Sequence, residues 1–398
     1  MNIRDSITKS RRTSQLIAAL SVAAIGLSAT SAVAQTYSVT DLGANTIVYN
    51  INASGLVVGS MEVTNSAGTH SHAAVWNGNA VTDLGTSSGS FGTATAINSN
   101  GQIVGDYYAN RLYHAAMWTG TNATSMGTLG GASSDVTAIN NAGQAVGNSG
   151  VDTQHEYARA TLWNGVSATD LGTLGGLESS ATDINDSGQI VGWSNLKDDS
   201  THKFRAVIWN YSGAAPAELG TLGGLQSVAQ GINSAGTVVG WANTAAEVGH
   251  AVRWANGTAT DLGTLGGDSS AAITINAAGK VVGWSDVSGD TNTHAVIWDE
   301  TGKLDDLNTL ISSSDASNIT LTDAASISDS NMIVANGLDK RTGEAHGYLL
   351  SIVTTPPPVT PPTHHGRHKH WGHHGEYHNK HAHWHSAFHG HNGNAGKR

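Results

Sequence analysis

The sequence has no cysteine, only six prolines and three phenylalanines, and just 12% charged residues. Without cysteine there is no disulfide and no thiolate metal site, so stability must come from burial. A body of more than 300 residues can bury enough surface for that. Long apolar runs are also missing. The run Leu16–Leu27 falls short of the ~20 residues that a membrane-spanning helix needs. It follows Arg4, Lys9, Arg11 and Arg12 and precedes Ala32-Val33-Ala34, the order of a secretory signal. Residues 1–34 are therefore read as a signal peptide and Gln35 as the mature start. A retained anchor helix is the alternative. Twin-arginine export is disfavoured by the residues flanking Arg11-Arg12. The mature chain is expected outside the cytoplasm, extracellular or periplasmic, with no transmembrane helix and as a monomer.

Basic residues are scarce in the body. Residues 35–353 hold 28 acids against 10 bases, whereas residues 354–398 hold one acid, Glu376, against five bases. An acidic body argues against a nucleic-acid partner. Glycine, by contrast, is abundant at 49 residues, which suits many short strands joined by tight turns.

Self-comparison shows a repeat. One copy reads Asp170-Leu-Gly-Thr-Leu-Gly-Gly176, then Ala181-Thr-Asp-Ile-Asn185, then Gly188-Gln-Ile-Val-Gly-Trp193, and ends in Arg205-Ala-Val-Ile-Trp209. The Ile-Asn anchor recurs at Asn52, Asn98, Asn140, Asn185, Asn233 and Asn276, with a degraded copy at Ile327-Ser328. Each unit of roughly 45 residues holds four apolar stretches separated by turn signals such as Asn276-Ala-Ala-Gly279 and Asn256-Gly257, the arithmetic of a propeller blade. The mature chain opens in mid-unit with a fourth-strand sequence, Tyr37–Gly43, and its last unit ends on a third strand, His346–Leu350. The expected fold is all-β: a seven-bladed β-propeller of four-stranded blades, closed by the N-terminal strand. A parallel β-helix is the runner-up.

The motifs Leu-Gly-Thr-Leu-Gly-Gly, Ile-Asn-x-x-Gly-x-x-Val-Gly and His-Ala-x-x-Trp resemble the HAF-type extracellular repeat family over about residues 37–350. The resemblance implies an exported bacterial repeat protein and a fold more than an activity. The chain departs from the pattern at Arg159 and Arg205, where His is expected, at Tyr348, and in ending the third motif with Trp rather than Phe.

The repeated His72, His114, His250, His294 and His346 could form a ring of ligands or acid-base groups. Arginine at two of these positions favours one hydrogen-bonding role instead, since guanidinium cannot ligate a metal. Trp76, Trp118, Trp163, Trp209, Trp254 and Trp298 read as packing between blades. The glycine-rich segment reads as the crossover between blades, because no helix follows it. Trp193, Trp241 and Trp284 end the second strand of three successive units, where the others are aligned with Ser60, Asp106, Asn148 and Ala335. They are the candidate ligand-binding residues, a platform for sugar rings on the face of the variable loops. Asp286 and Asp290, with Asp198, Asp199 and Asn292 nearby in pattern, are candidate loop ligands for that partner or for calcium, although no full calcium loop is spelled out. No nucleophile or carboxylate couple stands out.

After the Pro/Thr-rich linker 354–363, residues 364–398 carry 12 of the 20 histidines. The spacing of His364, His365, His368, His370, His373, His374, His378, His381, His383, His385, His389 and His391 suits zinc, copper or nickel bound by a flexible chain. Lacking apolar periodicity, the segment is expected to be disordered when free. Two functional classes remain open: an exported binding or scaffold module with a metal-binding tail, or a propeller hydrolase or lyase acting on glycans.

Overall fold

A computed structural model describes residues 35–66, 68–86, 91–152, 157–197, 203–210, 215–289 and 292–353. The signal-peptide reading, the histidine tail, Asp198, Asp199 and Asp290 lie outside these. The strands pair into seven separate four-stranded antiparallel sheets. Blade one comprises Thr46–Ile51, Leu56–Asn65, Gly68–Asn77 and Ala80–Gly85. Blades two to six repeat this order, with inner strands Phe91–Ile97, Ser134–Ile139, Gly175–Ile184, Gly223–Ile232 and Gly266–Ile275. Blade seven takes Ile319–Ile327, Ile333–Asp339 and Ala345–Ile352 from the end of the repeat region and its outermost strand, Tyr37–Ala44, from the beginning. The chain is a seven-bladed β-propeller.

The closure follows from the phase of the repeat. Tyr37 pairs with Ile352, Val39 with Leu350 and Asp41 with Tyr348. Tyr37 also donates its N–H to the Leu310 carbonyl at 2.8 Å, ahead of the short helix Ser313–Asn318. A sheet that would end on an exposed third strand is thus covered.

Seven apolar clusters hold the ring, and each lies between adjacent blades. Trp209, for example, packs with Ala138, Val146 and Leu162 of the blade before its own. All six repeated tryptophans are buried. Trp76, Trp163 and Trp298 donate their indole N–H to carbonyls of the preceding blade's outer strand or crossover, at Leu42, Gly127 and Leu262. Blade seven has Tyr348 and Leu350 in the corresponding cluster. A core split between blades makes each blade depend on its neighbours.

Every inner strand carries a register shift at the same place, between Val48 and Asn50 in blade one and between Ala181 and Asp183 in blade four. This bulge pushes the strand against the Val-Gly step of the second strand. A Cβ on Gly59, Gly105 or Gly192 would overlap a backbone carbonyl oxygen of the inner strand. In those blades the glycine of Val-Gly meets a steric demand of the bulge, whereas blade seven, whose inner strand carries a second register shift, has Ala335 there.

Deleting residues 36–43 removes the buried Tyr37 and Leu42 and opens an edge on blade seven. At roughly 2–3 kcal/mol per buried large side chain, the truncated body should lose about 5 kcal/mol, read by denaturant unfolding. Unchanged stability would mean that the strand does not close the ring.

Candidate functional site

Inner strands run from the crossovers to the Ile-Asn turns, so the propeller has a turn face and a loop face. The loop face carries the crossovers and the hairpins between second and third strands. The repeated histidines sit there and are committed to structure. His72 Nδ1 lies 2.9 Å from Asp83, His250 Nδ1 2.9 Å from Asp261, His294 Nδ1 2.7 Å from Asp306 and His346 Nδ1 2.8 Å from Asp41. Arg159 and Arg205 make the same tie to Asp170 and Glu218. Asp83, Asp170 and Asp261 each also accept the N–H of the glycine two residues on, which shapes the crossover. Blade two has Ser125 where the others have the acid, and His114 stacks on Tyr107 instead, with ring centroids 5.1 Å apart.

Trp193, Trp241 and Trp284 are all half-buried rather than enclosed. Trp193 and Trp241 meet through Phe204, whose ring centroid lies 5.4 Å from the first and 6.0 Å from the second. Phe204 was not singled out from the sequence. It immediately precedes Arg205, a position occupied elsewhere by Ser71, Tyr113, Ala158, Gly249, Thr293 and Ala345, so an aromatic residue there is shared only with blade two. Trp284, one blade further, makes no ring contact among the described residues. The repeat alignment needs one correction. Ala335 pairs with Ala324 as Gly192 pairs with Ala181, so the seventh-blade counterpart of Trp193 is Asn336.

That position points toward the next blade. Asn336 accepts the Val48 N–H, and Asp106 accepts the Val136 N–H, each at 2.9 Å. Burial raises the Asp106 carboxyl well above the ordinary range, and the neighbouring Asp135 raises it further. Burial raises Asp135 as well, against a hydrogen bond from Asn148. This ring position is therefore polar in four blades, seven, one, two and three, and indole in the other three, four, five and six.

A second aromatic row lies on blades one and two. Phe91, Tyr108 and Tyr113 occupy paired positions across three strands, with His70 at the Phe91 edge. Phe91 is 45% and Tyr113 57% exposed.

The acidic loop pattern does not assemble a calcium site from described residues. Asp286 accepts the Ser269 N–H at 3.0 Å, tying down the blade-six inner strand. A metal-like cluster occurs elsewhere: Asp41, Asp339 and His346. Arg341 already binds Asp339 there and holds its carboxyl below the usual range.

In the central channel, the Asp183 side chain accepts backbone N–H groups from Ile184 and, across the blade interface, Ile232, each at 2.8 Å. Desolvation outweighs those two bonds and pushes the carboxyl up to about 7.

No family model and no curated protein matches the chain. Among solved structures it is similar to TolB from Acinetobacter baumannii, with 14% identity, 74% of this chain and 80% of that chain covered, and a TM-score of 0.41. It is also similar to a puromycin-hydrolysing peptidase of Mycobacterium tuberculosis, with 12% identity, 77% of this chain covered and a TM-score of 0.49. The match spans about half of that peptidase, 54%. Among the described residues, no helix is long and apolar enough to cross a membrane.

Between about pH 4 and 7 the folded protein keeps the Asp183 proton that the unfolded chain has released, so Asp183 makes stability fall as pH rises through that window. Asp183→Asn should stabilise the protein at pH 8 by about 1–2 kcal/mol, less than full burial would give because the carboxylate borders the channel. The gain should vanish near pH 4. Melting curves at both pH values check this, and an equal effect at the two would contradict it.

Proposed function

We propose that the chain is an exported HAF-type binding module that holds a glycan on its loop face and transition-metal ions on its histidine tail. The aromatic chain Trp193–Phe204–Trp241 carries the glycan reading. Its rings are left half-exposed on the face where the variable hairpins lie, whereas the six repeated tryptophans are buried. Flat apolar rings flanked by amides, hydroxyls and carboxylates suit the mixed apolar and polar faces of a sugar. Export rests on the order of residues 1–34, and metal binding on the spacing of the twelve tail histidines.

Asp106 beside Asp135 favours the second reading, a glycan hydrolase or lyase, because a carboxyl raised by burial and a like charge is the kind of group that serves as a general acid. Release of products from a polysaccharide panel, lost in Asp106→Asn, would establish it. Binding without turnover keeps the module.

Trp193→Ala and Trp241→Ala should each weaken binding to a retained polysaccharide about tenfold or more, while unfolding midpoints move little. Affinity electrophoresis across a polysaccharide panel, paired with melting curves, tests this. Loss of folding without a change in retention would return both indoles to the core.

For the tail, the mature chain should bind several zinc or copper ions at pH 7.5, and a chain ending at residue 353 should not. Binding should be lost below about pH 6.5 as imidazoles protonate. Calorimetric titration of both chains distinguishes this from a spacer, for which the two would behave alike.

A further inference from the structure

The central channel is divided by a collar. The isoleucine before each turn, Ile51 and its six counterparts, is buried and lines a cavity on the turn face. Four of them also border a second cavity of about 390 Å³ on the loop-face side. Apart from the collar, that second cavity is lined largely by the bulge residues and those that follow them. Among these are Tyr49, Thr95, Thr182, Asp183, Gln230 and Ser326.

Its chemistry is one-sided. The hydroxyls of Thr95, Thr137 and Thr182 each donate to a pair of carbonyls, one in the same blade and one in the next, and so present only lone pairs inward. The Gln230 side chain makes no hydrogen bond among the described residues. Among the described residues, Asp183 is the one carboxylate lining the cavity, and no Lys, Arg or His lines it. The charged groups on the elements packed around Asp183 are the acids Glu178, Asp135 and Asp186 and the base Arg159, which is held by Asp170 and the Leu177 carbonyl, and Tyr49 is the cavity's other titratable group.

The fold does not need this charge. At the equivalent position Asn50 accepts the Ile97 N–H and Thr274 accepts the Ile327 N–H, so neutral side chains make the same inter-blade tie. A carboxylate kept in a cavity without a counter-charge is costly unless a cation joins it. Each Asp183 oxygen accepts one N–H and retains a lone pair for a further donor.

We propose that this cavity binds a small organic ammonium compound, seated on Asp183 with Gln230 as its second polar contact. A primary or secondary ammonium group brings three or two donors to a wall of acceptors, and the volume accommodates a hydroxylated carbon chain attached to it. A divalent metal fits poorly, because it needs six or more oxygens and a single carboxylate lines the cavity.

The probes are meglumine, which is cationic from pH 5.5 to 8, and sorbitol, its neutral counterpart of similar size. Calorimetry on the mature protein at pH 8 should show one site for meglumine and none for sorbitol. Asp183→Asn should lose at least tenfold in affinity, and it should fold because asparagine serves at that position in blade one. Gln230→Ala should weaken binding about threefold or more. Lowering the pH to 5.5 should weaken binding about tenfold or more, since Asp183 takes up its proton while the probe stays charged. Three outcomes would each overturn the proposal: no binding of meglumine, equal binding of sorbitol, or undiminished binding by Asp183→Asn. Displacement of meglumine by calcium alone would make this a metal site and overturn it as well.

Discussion

In six of the seven blades one amide ties each turn to the next. The side-chain oxygen of Asn185 accepts the N–H groups of Ser187 and Gln189 within its own turn, while its Nδ2 donates to the Asn233 carbonyl of the next blade at 3.0 Å. The same bond runs from Asn52 to Asn98, from Asn98 to Asn140, from Asn140 to Asn185, from Asn233 to Asn276 and from Asn276 to Ser328. Blade seven, with Ser328 in place of asparagine, completes the circle through the Ser330 hydroxyl and the Ala53 carbonyl at 3.4 Å. A buried asparagine satisfied in this way sets both the turn's shape and the spacing between blades, and only a side chain with a donor and an acceptor can do both. The isoleucine before it is thereby aimed into the channel, and the bulge preceding that isoleucine exposes the two positions that line the cavity.

Because the frame is built from ties repeated around the ring, the positions outside them are free to differ. The residue after Val-Gly is indole in three successive blades and polar in the other four. The bulge residue is threonine in blades two to four and tyrosine, glutamine, isoleucine or alanine elsewhere. Seven copies of one scaffold thus carry an asymmetric surface, with aromatic rings over blades four and five, a second aromatic row on blades one and two, and, among the described residues, a single carboxylate lining the loop-side cavity of the channel. Ligand recognition needs such asymmetry, since a repeated feature gives a ligand no preferred orientation.

Periodicity made the fold legible. The phase of Tyr37–Gly43 against His346–Leu350 contains the closure, and arginine in place of histidine at two blades shows that the histidines share a hydrogen-bonding role. The candidate indoles were legible as departures from the repeat. Phe204 was not, because its contact with Trp241 crosses a blade interface between residues 37 apart in sequence. Asp183 and Gln230 were hidden for another reason. The bulge breaks the alternation of inner-strand side chains, so counting in twos does not show which of them faces the channel. The seventh unit lost its glycine and asparagine markers, and its alignment slipped by one residue at Ala335.

The dependence of the whole ring on the asparagine circle is open to direct measurement by equilibrium unfolding of Asn185→Ala, followed by both far-ultraviolet circular dichroism and tryptophan fluorescence. The substitution leaves two turn N–H groups and the buried Asn233 carbonyl without their partner, so stability should fall by about 2–4 kcal/mol, with the two probes still coincident. A loss below about 0.5 kcal/mol, the scale of an ordinary surface substitution, would contradict the account.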